Sequence, residues 1–324
     1  MFKIHTDLAV ESRDLYNESN DVELEGVSVD VKEYENYTVT KVEVLNKNGM
    51  EKMKKPIGQY ITIDVPKLNK TDEDLKDEIS QALAKEIKGL GLNHPDSKIL
   101  IIGLGNWNIS PDALGPKVVE RVLVTRQYFV NFNKEFDETM ANVAAMSPGV
   151  MGITGIESFD IVKGIIDKIK PDLLIAIDAL ASRKMNRIST TIQLSDTGIS
   201  PGGGVGNKRV ALNKETLGIP VLSIGIPTVV NAATIVSDTL DLIIGSLMEQ
   251  AEVGKEFYNM LEALSNEEKY SLIEEVLSPF MANTIVTPKD IDLLIDDLSI
   301  IIANGLNIAL HPGIDLKDVN RYIR

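Results

Sequence analysis

The fold is decided by two stretches, SKILIIGLG (97–105) and PDLLIAIDAL (171–180). Each is a continuous apolar run, and the first ends in glycines, which is typical of a strand buried on both faces of a sheet. An amphipathic segment between them, SFDIVKGIIDKIK (158–170), predicts a helix. Strands that alternate with helices indicate an α/β fold with a mostly parallel, twisted sheet flanked by helices.

The pattern changes at both ends of this core, which we place at residues 97–246, with further strands expected in 186–196 and 219–228. Residues 21–66 alternate apolar and polar side chains, which predicts a β-rich region of antiparallel strands. The segment TDEDLKDEISQALAKEIKGLG (71–91) predicts a helix. Residues 247–324 are expected to be helical, with Thr287 as the N-cap of the last helix. Residues 1–20 are polar and without periodicity, so we expect a flexible arm there.

The composition excludes several kinds of site. The absence of cysteine excludes disulfides, thiolate catalysis and cysteine-based zinc sites. The three histidines, His5, His94 and His311, form no metal-binding pair, and the last two are expected in solvated loops. A net charge of −15 argues against a nucleic-acid-binding surface. We find neither a signal core nor an uninterrupted apolar run long enough to span a membrane, and therefore expect a cytoplasmic protein without a membrane partner.

Two aspartates follow the buried strands. Asp112 lies in the loop GLGNWNISPDALGP (103–116), and Asp178 ends the run LLIAID, where we expect the second strand to end. Ligands of open parallel sheets bind beyond the carboxyl ends of the strands, so both residues are candidate site residues. Structural roles are also open: Asp112 or Ser110 would cap the following helix, and Asp178 would cap a helix or pair with Arg183. A carboxylate-only site for a hard metal ion is a further possibility.

Several long segments resemble the germination protease family of endospore-forming bacteria. They include IIGLGNWNISPDALGPKVVERVLVTR (101–126), MSPGVMGITGIES (146–158), PDLLIAIDALASR (171–183) and IQLSDTGISPGGGVGNKR (192–209). The likeness extends back to HTDLAVESRD (5–14), so it covers nearly the whole chain.

The resemblance implies an aspartate-dependent endopeptidase that degrades small acid-soluble spore proteins during germination. It also implies a self-processing zymogen that forms a homotetramer in the spore core, and no cofactor or metal. Asp112 and Asp178 correspond to the family's catalytic aspartates. The family cleaves after an acidic residue that is followed by a hydrophobic residue and then alanine. This order places self-cleavage between Asp7 and Leu8, with residues 1–7 as a removable propeptide and residues 8–324 as a single catalytic domain.

An acidic residue before the cleaved bond predicts a cation in the substrate pocket. The candidates are Lys208, Arg209 and Arg183, because such side chains can bind a carboxylate. Backbone amides near Gly105 or in the glycine run 202–204 are candidates for stabilising an oxyanion. Two other functions stay open at this point: a metal-dependent peptidase related to hydrogenase-maturation proteases, and a non-enzymatic protein that binds spore proteins.

Overall fold

The computed structural model describes residues 6–19, 24–68, 72–92, 97–131, 139–202, 209–236, 238–239 and 284–318. The strands are β1 Val27–Glu33, β2 Thr38–Val44, β3 Gly58–Asp64, β4 Lys98–Gly103, β5 Asn142–Met146, β6 Leu173–Ser182, β7 Thr191–Ser195, β8 Val221–Asn231 and β9 Ile285–Val286. The helices are α1 Ala9–Ser19, α2 Lys47–Met53, α3 Glu73–Gly89, α4 Leu114–Arg121, α5 Arg126–Asn131, α6 Met151–Thr154, α7 Ser158–Ile169, α8 Lys214–Leu217 and α9 Ile291–Leu310.

The described strands form one mixed sheet in the order β1-β2-β3-β7-β8-β6-β4-β5, with β9 paired to β8. The pairs β5–β4, β4–β6 and β6–β8 are parallel, whereas β1, β2, β3 and β7 run antiparallel to their neighbours. The predicted α/β fold, with a mostly parallel core and an antiparallel N-terminal region, is therefore confirmed.

Helices cover both faces of the parallel core. Alternate residues of β4 explain why: Ile99 and Ile101 pack in a cluster with α3, α4 and α9, while Leu100 and Ile102 pack in a second cluster with α7. A strand that is buried on both faces is apolar at every position, as the sequence of β4 indicated.

The C-terminal helix α9 packs against α3 and α4. By length and composition it would be able to cross a membrane, yet 72% of its apolar window is buried inside the protein. It begins at Ile291, after Asp290, so the prediction of Thr287 as its N-cap was wrong. The Thr287 hydroxyl instead donates a hydrogen bond to the carbonyl of Thr228. The helical prediction for residues 247–283 lies outside the described residues.

Two further predictions were wrong because tertiary contacts outweigh local sequence. The polar N-terminus is not a flexible arm in the part described: Ala9–Ser19 form helix α1, and Leu8, Ala9 and Val10 at its start are buried. His311 is not solvated but fully buried, where its Nδ1 accepts a hydrogen bond from the amide of Ala141.

Candidate active site

Asp112 and Asp178 line one cavity at the carboxyl end of the parallel core. The cavity has a volume of about 460 Å³ and is also lined by Asp7, Lys55 and Arg209. Its walls come from the loop after β4, the second half of β6, and the segments around β7 and β8.

Close backbone contacts of the loop after β4 bring Asp112 into the cavity. The loop leaves β4 beside β6, where the amide of Leu104 donates to the carbonyl of Ile177 over 2.8 Å. It then turns back at Gly105, whose φ of 116° suits glycine and whose Cβ, if present, would lie 2.0 Å from the carbonyl oxygen of Asp112. At the start of α4, a Cβ on Gly115 would lie 2.7 Å from the carbonyl oxygen of Ile177. These glycines let helix α4 press against β6, next to Asp178.

Asp178 lies within β6 and not at its end. The strand continues to Ser182, so the expectation that it stops at Asp178 was wrong. The side chain is 6% exposed, and its Oδ1 accepts a hydrogen bond from the amide of the next residue, Ala179, over 2.9 Å. Asp178 therefore caps no described helix. Asp112 does not cap helix α4 either, because that helix begins without a side-chain cap after Ala113.

The pKa values of both aspartates are raised. Burial raises the pKa of Asp112 to about 6, against the opposing effects of Arg209 and of the amide of Asn106. The pKa of Asp178 is raised well above the ordinary value, first by burial and then by the negative charges of Asp112 and Asp7. Two carboxyl groups that act on each other in this way do not both ionise easily, so one can act as an acid while the other acts as a base.

The N-terminal segment enters the same cavity. The amide of Asp7 donates to the carbonyl of Ala181 over 3.1 Å, and the amide of Ala181 donates to the Asp7 carboxylate over 2.8 Å. The negative charge of Asp7 also contributes to the raised pKa of Asp178. The predicted cleavage site is thus held along β6, near both aspartates.

The residues after Asp7 are deeply buried. Leu8 and Ala9 have no exposed surface and pack in an apolar cluster. The other members of this cluster are Val10, Leu24, Val42, Val44, Met53, Tyr60 and Leu180. Glu11, which is 1% exposed, accepts hydrogen bonds from the amides of Arg183 and Lys184, each over 2.8 Å. This carboxylate fastens helix α1 to the chain directly after β6.

The three candidate cations lie in different places. Arg209 lines the cavity, and its charge acts on both Asp112 and Asp178. Arg183 is buried and is not among the residues that line the cavity; its amide binds Glu11. Lys208 lies outside the described residues, as do Gly203 and Gly204.

Two cavity residues were missed by the sequence analysis. Lys55 follows α2 and Gln193 lies in β7, and both donate hydrogen bonds to the carbonyl oxygen of Asp7. No motif surrounds either residue, so only their placement in three dimensions reveals them. Within the described ranges, no group of three or more potential metal ligands occurs.

Comparison with known proteins supports the resemblance stated above. A family model described as germination protease matches residues 5–259 and 246–323. The germination protease of Caldanaerobacter subterraneus is 49% identical over 99% of this chain and 98% of its own length. That of Clostridium tetani is 48% identical over 99% of both chains, and that of Bacillus cereus is 43% identical over 99% of this chain and 97% of its own.

Among solved structures, a NiFe hydrogenase maturation protease from Thermococcus kodakarensis matches 41% of this chain and 74% of its own. Its identity of 24% and TM-score of 0.28 are too low to support any conclusion about this chain. The family model and the full-length relatives suffice for the assignment: this chain belongs to the germination protease family.

Proposed function

We propose that this chain is an endopeptidase of spore germination that cleaves after acidic residues with Asp112 and Asp178 as its catalytic pair. Family membership supports a peptidase of spore germination. The aspartate mechanism is supported by one observation above all: two carboxyl groups with raised pKa values line the cavity that also holds Asp7, and the charge of Asp112 acts on Asp178.

In the proposed reaction, Asp112 is the base and Asp178 the acid. Above about pH 6 Asp112 is ionised and removes a proton from water as the water oxygen bonds to the peptide carbonyl carbon. Asp178, whose pKa is raised by burial and by the charge of Asp112, is the protonated partner in this scheme and gives its proton to the leaving nitrogen as the carbon–nitrogen bond breaks. The products are a new carboxyl group and a new amine, and the two aspartates have exchanged their protonation states.

The contacts of residues 7–9 support the proposed specificity. A carboxylate before the cleaved bond accepts a hydrogen bond from the amide of Ala181. A hydrophobic residue after it fits the apolar cluster that surrounds Leu8. The next position, Ala9, has no exposed surface, which favours a small side chain there. The segment therefore occupies the cavity in the manner of a substrate, which also explains how residues 1–7 would keep the precursor inactive.

The catalytic assignment is tested with the variants Asp112→Asn and Asp178→Asn. We expect each to lose cleavage of a peptide that contains Glu-Ile-Ala, with new termini identified by mass spectrometry. Asp172→Asn is the matched control, because this exposed aspartate lies just before the opposite end of β6. Among the described contacts, its side chain accepts a hydrogen bond only from the amide of Lys98. Full activity in either cavity variant would overturn the assignment. Loss of wild-type activity on addition of a chelator would favour a metal-dependent peptidase.

Latency is tested by deletion of residues 1–7. We expect the shortened chain to cleave the peptide faster than the full chain, because Asp7 no longer occupies the cavity. Equal rates would contradict the proposed role of the segment.

We further propose small acid-soluble spore proteins as the substrates and a homotetramer as the assembly. Both rest on the family resemblance. Digestion of purified spore proteins tests the first, and light scattering of the purified chain tests the second; binding without new termini would favour a non-enzymatic protein.

A further inference from the structure

The carbonyl oxygen of Asp7 is held by two side chains. Lys55 Nζ donates to this oxygen over 2.8 Å, and Gln193 Nε2 donates to it over 3.0 Å. The amide oxygen of the same Gln193 accepts a hydrogen bond from the amide of Ala9 over 2.7 Å. Gln193 therefore binds the chain both before and after the Asp7–Leu8 bond. Together with Lys55, it fixes the position of the Asp7 carbonyl.

Both side chains are held firmly by the fold. Gln193 is 8% exposed and lies in β7, which pairs with β3 on one side and β8 on the other. Lys55 extends into the cavity from the turn after α2, and its ammonium group also donates to the carbonyl of Thr6 over 3.0 Å. Burial lowers the pKa of Lys55, while the negative charges of Asp7 and Glu11 act in the opposite direction.

We propose that Lys55 and Gln193 bind the carbonyl oxygen before the cleaved bond and stabilise the negative charge that develops on it. The inference rests on the proposed peptidase function and adds two catalytic residues to it. As the water oxygen bonds to the carbonyl carbon, the carbonyl electron pair moves onto this oxygen, between the two donors. When the carbonyl forms again, the carbon–nitrogen bond breaks and the amine leaves with the proton of Asp178.

The geometry agrees with what such stabilisation requires. Lys55 Nζ and Gln193 Nε2 lie 2.8 and 3.0 Å from the carbonyl oxygen of the intact bond. The negative charge would develop on this same oxygen, so both donors already point at the atom that becomes the oxyanion. The inference differs from the sequence-based prediction, which assigned this role to backbone amides of the glycine loops. Lys55 would also attract the acidic side chain before the cleaved bond, because its charge lies near the carboxylate of Asp7.

The first test is the variant Lys55→Met, with Lys47→Met on the exposed start of α2 as the matched control. Self-cleavage after Asp7 is intramolecular, so its rate contains no binding step. We expect this rate to fall about 10²–10³-fold in Lys55→Met. We expect the same fall in kcat on a Glu-Ile-Ala peptide when variant and control are both shortened to residues 8–324, so that latency does not affect the comparison. We expect KM and the melting temperature to stay close to those of the control. An unchanged kcat, or a loss confined to KM, would overturn the inference.

The second test restores the lost donor. The chain has no cysteine, so Lys55→Cys contains a single thiol. Alkylation of the unfolded variant with bromoethylamine, followed by refolding, creates a thioether analogue of lysine. Alkylation with bromopropane creates a side chain of similar length without the amine. We expect only the amine to restore cleavage, by at least about 10-fold. Equal activity of the two products would overturn the inference, with the alkylated and refolded wild type as the control for folding.

These outcomes separate the inference from the proposed function. If Asp112→Asn abolishes cleavage and Lys55→Met does not lower kcat, the aspartate mechanism stands and the role of Lys55 is wrong. If Asp112→Asn retains full activity, the proposed mechanism itself fails.

Discussion

Glu11 controls whether helix α1 stays on the protein, and the variant Glu11→Ala tests this. Its carboxylate accepts two hydrogen bonds of 2.8 Å from backbone amides, at a side chain that is 1% exposed. Hydrogen bonds to charged groups contribute about 1.5–3 kcal/mol each. The lower value gives about 3 kcal/mol for the pair, which corresponds to a rise of about 10²-fold in the population of chains with α1 detached.

The assay is native-state hydrogen exchange, followed by mass spectrometry of peptides that span residues 6–19 and 179–184. We place the variant in an Asp112→Asn background so that self-cleavage does not interfere. Exchange of the amide of Ser12 is expected to accelerate about 10²-fold, because Ser12 donates to the carbonyl of Leu8 only while α1 is formed. The amides of Arg183 and Lys184 lose their acceptor in the variant itself and only verify that the bonds are removed.

Glu25→Ala is the control, since Glu25 is exposed and its described hydrogen bond is a surface one, to Asn48. Glu11→Gln is expected to show a smaller effect, because it keeps one acceptor. Exchange in Glu11→Ala within about threefold of the control would refute the reasoning, since it would mean that Leu8, Ala9 and Val10 hold the segment by burial alone.

Three further predictions concern the cavity. Because the pKa of folded Asp112 is raised to about 6, its contribution to stability is present below pH 4 and lost as the pH rises through 6. Asp112→Asn is therefore expected to be about 2–3 kcal/mol more stable than wild type at pH 8 in denaturant unfolding, with little difference at pH 4; an equal difference at both pH values would contradict this. Wild-type cleavage is expected to rise about tenfold per pH unit below pH 6 and to level off above it, and a rate that falls over this range would contradict Asp112 as the base. Gly115→Ala is expected to cost about 1–3 kcal/mol and to lower activity, because its Cβ would lie 2.2 Å from the carbonyl oxygen of Leu104 and push α4 away from β6. Gly164→Ala in α7, where a Cβ meets nothing within 4 Å, is the control and is expected to retain activity.

The parts of the fold that sequence predicted well are those in which one physical requirement sets every residue. Strand β4 is apolar from Ile99 onward because both of its faces are covered there, and the first half of β6 has the same pattern. Helix α3 was found because its acidic first turn and its apolar spacing agree, and in the structure the Asp72 side chain caps it.

The parts that sequence predicted poorly depend on contacts between distant segments. Helix α1 is polar over most of its length, and its first residues are ordered by an apolar cluster built from β2, β3 and β6. Strand β6 continues past Asp178 because it stays paired with the long strand β8 as far as Ser182, which nothing in the local sequence indicates. His311 is buried because its ring bonds the amide of Ala141, 170 residues away.

The same distinction applies to the candidate site. Asp112 and Asp178 come after or near the end of apolar runs that were predicted as strands of one parallel sheet, so a place for both near the carboxyl ends of the strands could be expected. That the two strands are neighbours is seen only in the structure. Their catalytic role stays a prediction. Lys55 and Gln193 come from the antiparallel half of the sheet and its connections, which carry no signal of a site in sequence.

The burial of Leu8 couples bond cleavage to product release. In the intact chain the nitrogen of Leu8 is a neutral amide that donates to the hydroxyl of Thr6, and the residue has no exposed surface. Hydrolysis after Asp7 would convert this nitrogen into an ammonium ion among apolar side chains, and desolvating such an ion costs several kcal/mol. The new N-terminal end at Leu8 would then bind in the cavity more weakly than the same residues do in the uncut chain. Reformation of the Asp7–Leu8 bond would therefore be rare, and the cavity would become accessible to other peptides.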